Sequence, residues 1–193
     1  MISHIVSVLD RPHFLNAALA ALVVQDGGGG EIVVCVNGTE AATIGHCHEI
    51  CSRYGAFMLQ TGHDGARSCY ESANMGAALA TGEWLSFPSD DSLYVFEFSR
   101  VMLQTAELHK ADLVYCDCVY RQDKTKGNWP AYTILDVSPR MGRIDKTCFI
   151  VRRSVFPGFP SHEHGWSDGA LVEQLVKSGV RHAKAPGVLV VHQ

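Results

Sequence analysis

Residues 73–91 read ANMGAALATGEWLSFPSDD, and this stretch is the most informative about the fold. Its first part is rich in alanine and ends at Gly82, as is typical of a helix that stops at a glycine. The apolar run that follows ends at two adjacent carboxylates, Asp90 and Asp91. The stretch therefore predicts a helix, a short buried strand and a polar loop in immediate succession.

The same alternation of helix and strand extends to both sides of this stretch. Apolar runs predict strands over residues 4–9, 31–36, 56–60, 84–87, 112–118, 147–151 and 188–192. Helical spacing predicts helices after Pro12 and over residues 40–53, 68–80, 93–109 and 168–177, with Thr39 as the cap of the second helix. Residues 119–146 show no period that decides their structure. We expect an α/β protein with a mostly parallel sheet flanked by helices.

Composition limits the class of protein. The 193 residues are 47% hydrophobic and 19% charged, which is typical of one globular domain. A net charge of −4 without a basic run argues against nucleic acid as a partner. No apolar run approaches the roughly 20 residues of a transmembrane helix. Residues 1–9 lack a basic leader and are closely followed by Asp10, Arg11 and Pro12, so they do not resemble a signal peptide. The seven cysteines are odd in number and mostly isolated, which favours reduced thiols, so we expect a soluble cytoplasmic protein.

Polar side chains follow the predicted strands at the points where the strands end. Ligands of parallel sheets bind beyond the carboxyl ends of the strands, so these residues are the first candidates for a site. Asp90 and Asp91 repel each other, and a divalent cation between them would relieve that repulsion. The alternative is that both carboxylates cap the next helix. The other candidates are Asp10, Arg11, Asn37 and His192.

Several motifs in chain order resemble family 2 glycosyltransferases of the GT-A fold. The family has an Asn-x-Gly-x-x-x-Ala-x-Gly-Glu helix that leads into a strand ending in a DxD-like metal motif. This chain matches the helix motif at Asn74, Gly76, Ala80, Gly82 and Glu83. Three further segments are similar to family segments: EIVVCVNGT at 31–39, TCFIVRRSVF at 147–156 and GWSD at 165–168. The resemblance spans essentially the whole chain.

The resemblance implies a hexosyltransferase that moves a sugar, with inversion, from a nucleoside diphosphate donor to a hydroxyl. UDP-sugars are the default donor, and the acceptor hydroxyl would belong to a glycan or a lipid-linked molecule. Asp168 stands at the position of the general base. Asp90 and Asp91 would hold Mn²⁺ or Mg²⁺, and Asp90 would also face the donor. Nucleotide contacts fall on Asp10, Arg11 and Asn37, and His192 is either a further metal or diphosphate contact or a polar residue without a task.

The resemblance also implies a single domain over residues 1–193. Residues 1–118 would bind the nucleotide and residues 119–193 would face the acceptor. The chain is short for the family, so either a small acceptor site or a second subunit of a homo-oligomer would complete it.

Three positions depart from the family pattern. Val36 stands where an acidic residue is usual, Pro88 occupies the first position of the DxD motif, and Ser167 replaces the Glu before the base. A GT-A-like domain that binds a nucleotide or a partner without turnover is therefore an alternative. A sugar-phosphate nucleotidyltransferase is a weaker one, because it needs a glycine-rich basic loop after the first strand, where this chain has Asp10 and Arg11.

Three other clusters have less specific interpretations. Cys116 and Cys118 alternate with Asp117 and predict core packing. A basic segment would either meet donor phosphates or be solvated, and it comprises Arg140, Arg143 and Lys146. A group on the second helix has ligand types suited to zinc but lacks a partner cluster, which favours a partly exposed helix face; it comprises His46, Cys47, His48 and Cys51.

Overall fold

The computed structural model describes residues 1–8, 11–27, 30–62, 68–121, 132–160 and 167–192. The strands are β1 (Ile2–Val8), β2 (Glu31–Val36), β3 (Phe57–Gln60), β4 (Trp84–Ser86), β5 (Ser92–Tyr94), β6 (Leu113–Arg121), β7 (Tyr132–Leu135), β8 (Phe149–Arg152) and β9 (His182–His192). The helices are α1 (Pro12–Val23), α2 (Ala41–Tyr54), α3 (Ser68–Leu79), α4 (Phe98–His109) and α5 (Ser167–Lys177). A 3-10 turn over Lys146–Cys148 leads into β8.

The described strands form one sheet in the order β3-β2-β1-β4-β8-β6-β9-β5, with β7 paired to β6. The first four in this order run parallel, with Val6 opposite Val34 and His4 opposite Ser86. β8 is antiparallel to both of its neighbours, and β5 is antiparallel to β9, whereas β6 and β9 are parallel. The α/β class is confirmed, and the expected parallel arrangement holds for the first half of the sheet while the second half is mixed.

This topology gathers many element ends at one edge of the sheet. The carboxyl ends of the parallel strands β1 to β4 lie there. Because β8 is antiparallel to β4, its beginning lies at the same edge, with the turn Lys146–Cys148 just before it. β9 ends at this edge at His192, which pairs with Ser92 at the beginning of β5. We refer to this side of the molecule as the site edge.

Helix α1 fits the sequence-based expectation. Pro12 stands in its first turn, where a missing N–H removes no helical hydrogen bond, and Leu15, Leu19 and Leu22 are fully buried. Helix α2 ends at Gly55, whose φ of 66° is the left-handed conformation that favours glycine. The cap of α2 was predicted wrongly, because Glu40 rather than Thr39 holds that position and its side chain makes no capping bond.

The segment predicted as one helix over residues 93–109 divides into two elements. Its first part is the strand β5, and helix α4 begins only at Phe98. Leu93 of β5 pairs with Val191, almost a hundred residues away, and this long-range pairing outweighs the local helical spacing.

The core lies on both faces of the sheet and extends beneath the site edge. Phe87, directly after β4, is fully buried and packs edge-on against Phe159 with ring centroids 4.7 Å apart. It also contacts Phe149 at 5.9 Å and Phe156 at 5.1 Å. This aromatic cluster gives the loop that carries Asp90 a rigid base. In the described ranges, no helix has the length and apolar character needed to cross a membrane.

Candidate active site

The site edge holds nearly all of the residues that the sequence indicates. Asn37 follows β2, Arg11 precedes α1, and His192 ends β9. Asp90 and Asp91 follow β4, and Asp168 lies in the first turn of α5, bonded to the turn that precedes β8. Asp10 lies outside the described residues.

Arg11 joins the two adjacent carboxylates. One guanidinium nitrogen lies 2.9 Å from Asp90 Oδ1 and the other lies 2.9 Å from Asp91 Oδ2. The carboxylates are buried, at 3% and 6% exposure, whereas 44% of the Arg11 side chain is exposed. The guanidinium therefore offsets the repulsion between the acids, while part of the Arg11 side chain is accessible to solvent.

Among the described residues, the second oxygen of each carboxylate has no hydrogen-bond donor. Asp90 Oδ2 and Asp91 Oδ1 are buried, and neither accepts a hydrogen bond. Burial raises the pKa of Asp90 to about 6, against the opposing effect of Arg11. Unpartnered buried carboxylate oxygens are costly unless a cation or donor reaches them, and they are the ligand type that Mg²⁺ and Mn²⁺ prefer.

The chemistry of these two oxygens fits a divalent metal ion, although the described residues supply few ligands in total. Across the described parts of the chain, no three His, Cys, Asp or Glu side chains are grouped so as to hold a metal. An ion bound to Asp90 and Asp91 would therefore need ligands from beyond the described residues, and a phosphate group commonly supplies them to Mg²⁺.

His192 lies next to this pair. Its Nδ1 is 3.0 Å from Ser92 Oγ and 3.6 Å from Asp91 Oδ1. The Tyr120 ring stacks on the imidazole with centroids 5.1 Å apart and planes at 28°. His192 is thus held in place at the site edge by three neighbours.

Asn37 is buried and connects three elements. Its side-chain oxygen accepts a hydrogen bond of 2.6 Å from the Thr61 hydroxyl, after β3, and a further bond from the Ser72 hydroxyl of α3. Val36, where the family has an acidic residue, is fully buried beside it. The oxygen of Asn37 is therefore occupied within the protein.

Asp168 is held by two backbone amides. Its Oδ1 accepts from the amide of Gly169 at 2.7 Å, and its Oδ2 accepts from the amide of Lys146 at 3.1 Å. Burial, at 8% exposure, raises the pKa of Asp168 to about 6, and the negative charge of Asp145 acts in the same direction. Because each carboxylate oxygen has two lone pairs, both retain capacity for a further hydrogen bond.

Lys146 is the site residue whose setting the sequence did not predict. Arg140 and Arg143 are exposed, as expected of a solvated basic segment, but Lys146 is buried behind Asp168. One signal was available in the sequence, because Lys146 directly precedes the apolar run over residues 147–151 while the two arginines flank Gly142.

The cysteine-containing clusters do not form sites. Cys47 and Cys51 face the core, whereas His46 and His48 are exposed on the other side of α2. Cys116 and Cys118 are buried and reduced, as core packing requires, and the Cys116 thiol lies 3.5 Å from the carbonyl oxygen of Cys148.

Comparison with known proteins places this geometry in a family. The model of the family described as glycosyl transferase family 2 matches residues 3–163. The chain belongs to glycosyl transferase family 2. One relative is a PGL/p-HBAD biosynthesis glycosyltransferase from Mycobacterium bovis BCG. It is 30% identical to this family 2 chain over 158 residues, which are 81% of this chain and 60% of the relative. The family 2 chain thus spans about 60% of the length of the curated relatives it matches.

Solved structures show the same fold. The TarS 1–349 structure from S. aureus with UDP-GlcNAc aligns at a TM-score of 0.74 and 15% identity, covering 98% of this family 2 chain and 57% of that one. The mannosyltransferase PcManGT from Pyrobaculum calidifontis, in complex with GDP-Man and Mn²⁺, aligns at a TM-score of 0.76 and 17% identity, covering 99% and 56%. The expected GT-A fold is confirmed.

Proposed function

We propose that this chain transfers a sugar from a nucleoside diphosphate donor to a hydroxyl acceptor, with inversion at the sugar carbon. The observation that carries the proposal is the pairing, at one edge of the sheet, of Asp90 and Asp91 with Asp168. The first two present unpartnered buried oxygens, and the third is a buried carboxylate with free lone pairs. The likeness to structures that contain UDP-GlcNAc or GDP-Man supports this class of donor, with UDP-sugars as the default.

The charge at the site edge supports a metal ion beside the donor. Within the described residues, four carboxylates face two cationic side chains and leave an excess of two negative charges; they are Asp90, Asp91, Asp145 and Asp168, facing Arg11 and Lys146. A divalent cation, Mn²⁺ or Mg²⁺, held by Asp90 and Asp91 would neutralise the negative charge that develops on the leaving diphosphate. The exposed face of Arg11 would contact the same phosphates.

Asp168 would act as the general base. The acceptor hydroxyl gives its proton to an Asp168 oxygen while its own oxygen forms the new bond to the sugar carbon. The bond from that carbon to the diphosphate breaks, and its electron pair leaves with the diphosphate. A pKa of about 6 keeps Asp168 deprotonated at neutral pH and still basic enough to accept the proton.

Two substitutions separate the roles of the carboxylates. Asp168→Asn is expected to lower kcat about 10²- to 10⁴-fold, because the base is lost, while donor binding stays near that of the wild type. Asp91→Ala is expected to weaken metal-dependent donor binding by about 10- to 100-fold. The measurements are transfer from UDP-glucose, UDP-GlcNAc and GDP-mannose to a panel of hydroxyl acceptors, and donor affinity by calorimetry.

Asp26→Asn is the matched control. Asp26 follows the end of α1 that lies away from the site edge, and its carboxylate pairs with Arg100. We expect this variant to keep both activity and donor affinity. Equal loss of transfer and binding in Asp168→Asn and Asp91→Ala would contradict the assignment of separate roles.

A second candidate is a domain that binds a nucleotide without turnover. Arg11 already neutralises one oxygen of each carboxylate, and Val36 stands where an acidic residue is usual. This candidate predicts donor binding with no transfer to any acceptor, and with no dependence on Asp168.

A further inference from the structure

The ammonium group of Lys146 lies beneath the loop that carries the adjacent carboxylates. Its Nζ is 3.4 Å from the carbonyl oxygen of Pro88 and 3.5 Å from that of Phe87, the two residues that precede the loop. The side chain is 6% exposed. In the described part of the molecule, no carboxylate oxygen comes within 4.0 Å of this nitrogen. Lys146 is therefore a buried cation that no carboxylate among the described residues neutralises by a direct ion pair.

The backbone of the same residue holds the predicted base. The amide of Lys146 donates to Asp168 Oδ2 at 3.1 Å. Asp145 fixes the turn by accepting hydrogen bonds from the amide of Thr147 at 2.9 Å and from its hydroxyl at 2.7 Å, and Tyr94 donates its hydroxyl to the Thr147 carbonyl oxygen at 3.0 Å. One rigid turn therefore connects Asp168 to the end of β4.

Burying an ammonium group is costly unless nearby negative charge compensates for it. The charge of Lys146 acts on Asp90 and on Asp168, where it opposes the rise of the pKa that burial causes. The ammonium lies between Asp90 and Asp168 without close contact with either carboxylate. A single cation therefore acts both on the predicted base and on the carboxylates proposed to face the donor.

We propose that Lys146 is a positioning residue for the transfer reaction: its amide orients Asp168, its side chain supports the end of β4, and its positive charge lies between the base and the donor carboxylates. This inference rests on the proposed function for its kinetic consequence. The placement itself rests on the contacts of Lys146 alone.

The groups that face Asp168 determine how loss of the Lys146 charge would change the pKa of Asp168. Cys69 and Tyr70 of α3 face Asp168, and burial raises the pKa of both, which keeps them neutral at pH 7. Asp145 and Lys146, from the segment before β8, are the charged groups with the largest effect on the pKa of Asp168 within the described ranges. Without the ammonium, only the two backbone hydrogen bonds to Asp168 oppose the charge of Asp145, so protonation of Asp168 becomes more favourable.

The test compares Lys146→Met, which removes the charge at similar size, with Lys146→Arg, which retains it. The first measurement is the titration of the Asp168 carboxyl carbon by ¹³C NMR, which needs no turnover. Lys146→Met is expected to raise the Asp168 midpoint by about one pH unit, the lower end for loss of a nearby opposite charge, and Lys146→Arg to leave it near the wild-type value. Lys177→Met, in the exposed last turn of α5, is the matched control and should shift nothing.

The second measurement is the pH profile of kcat. Its acid limb should move with the NMR midpoint in Lys146→Met, while the donor KM changes less. A uniform drop in kcat without a pH shift, or an unchanged Asp168 titration, would overturn the inference. If Lys146→Met does not fold, Lys146→Gln takes its place. Wild-type protein without transfer activity would overturn the proposed function, while the NMR titration would still decide the role of Lys146.

Discussion

Arg11 explains how two adjacent carboxylates can be buried at the end of a strand. Each of its two terminal nitrogens meets one carboxylate at 2.9 Å, so the guanidinium acts as a cation fixed to the protein. The sequence predicted that Arg11, Asp90 and Asp91 all face the ligand edge. It could not predict their ion pairs, because Arg11 and Asp90 are 79 residues apart in the chain.

Removing the Arg11 guanidinium should reveal how much free energy the burial of Asp90 and Asp91 costs. Arg11→Met is expected to lower the free energy of unfolding by roughly 1–2 kcal/mol at pH 8. The effect is smaller than for a fully buried ion pair, because Arg11 is partly exposed and solvent weakens its ion pairs. The loss should shrink as the pH falls from 8 towards 6, because Asp90 in the variant takes up a proton at a higher pH than in the wild type, where its pKa is about 6. Urea unfolding at pH 8 and at pH 5 measures both effects.

Arg100→Met provides the comparison for this variant, since Arg100 pairs with Asp26 at a solvent-exposed position. We expect it to cost less than about 1 kcal/mol at either pH. A pH-independent cost of Arg11→Met, no larger than that of Arg100→Met, would show that the carboxylates do not depend on Arg11.

Lys146 illustrates a limit of reasoning from sequence at the level of single side chains. Its spacing from Arg140 and Arg143 indicated a basic segment, yet the fold separates it from them. What decides its burial is the turn before β8, whose hydrogen bonds join Asp145, Thr147 and Tyr94. Two of these three residues are local, but Tyr94 comes from β5, which the sequence did not predict.

Among the secondary structure elements, α3 is the one whose sequence motif can be explained by packing. Gly76 lies against β1 and β2, where an added Cβ would stand 2.6 Å from Ile5 Cγ2 and 2.7 Å from Cys35 Sγ. Asn74 pairs with the backbone of Phe159, accepting from its amide at 2.7 Å and donating to its carbonyl oxygen at 3.0 Å. Gly76 and Asn74 of the family motif therefore fasten helix α3 to the sheet and to the chain after β8.

A pair of glycine substitutions tests this packing. Gly76→Ala is expected to lower the free energy of unfolding by about 1–3 kcal/mol, because the methyl group must displace two buried side chains. Gly45→Ala on α2 is the matched control, since nothing lies within 4 Å of its added Cβ, and it should stabilise by about 0.5–1 kcal/mol. Thermal or urea unfolding of both variants provides the measurement, and a Gly76→Ala protein as stable as the wild type would refute the close approach of α3.

The elements that could be predicted differ from those that could not in the range of their interactions. β1, α1 and β2 follow from local apolar periodicity, and the structure has them nearly as predicted. β5 and the antiparallel insertion of β8 depend on pairing with strands far along the chain. Local spacing contains no information on those pairings, so the second half of the sheet was the less predictable half.

Across the chain, the topology brings residues from opposite ends together at the site edge. Arg11 near one end and His192 near the other are linked through Asp91. The sequence predicted this edge because strand ends in parallel sheets share a side, and the mixed half of the sheet directs its ends to the same side. The residue types of the site were thus predictable, while their partners and burial were not.

The most direct measurement is the thermal midpoint of unfolding in the presence of UDP, GDP and ADP, each with and without Mn²⁺. A ligand that binds only the native state raises this midpoint by mass action. We expect a rise of roughly 5–10 °C at a nucleotide concentration about a hundredfold above Kd. This rise should need both one nucleotide and the metal, and it should be lost in Asp91→Ala. No rise with any nucleotide, or the same rise in Asp91→Ala, would contradict a nucleotide donor site at Asp90 and Asp91.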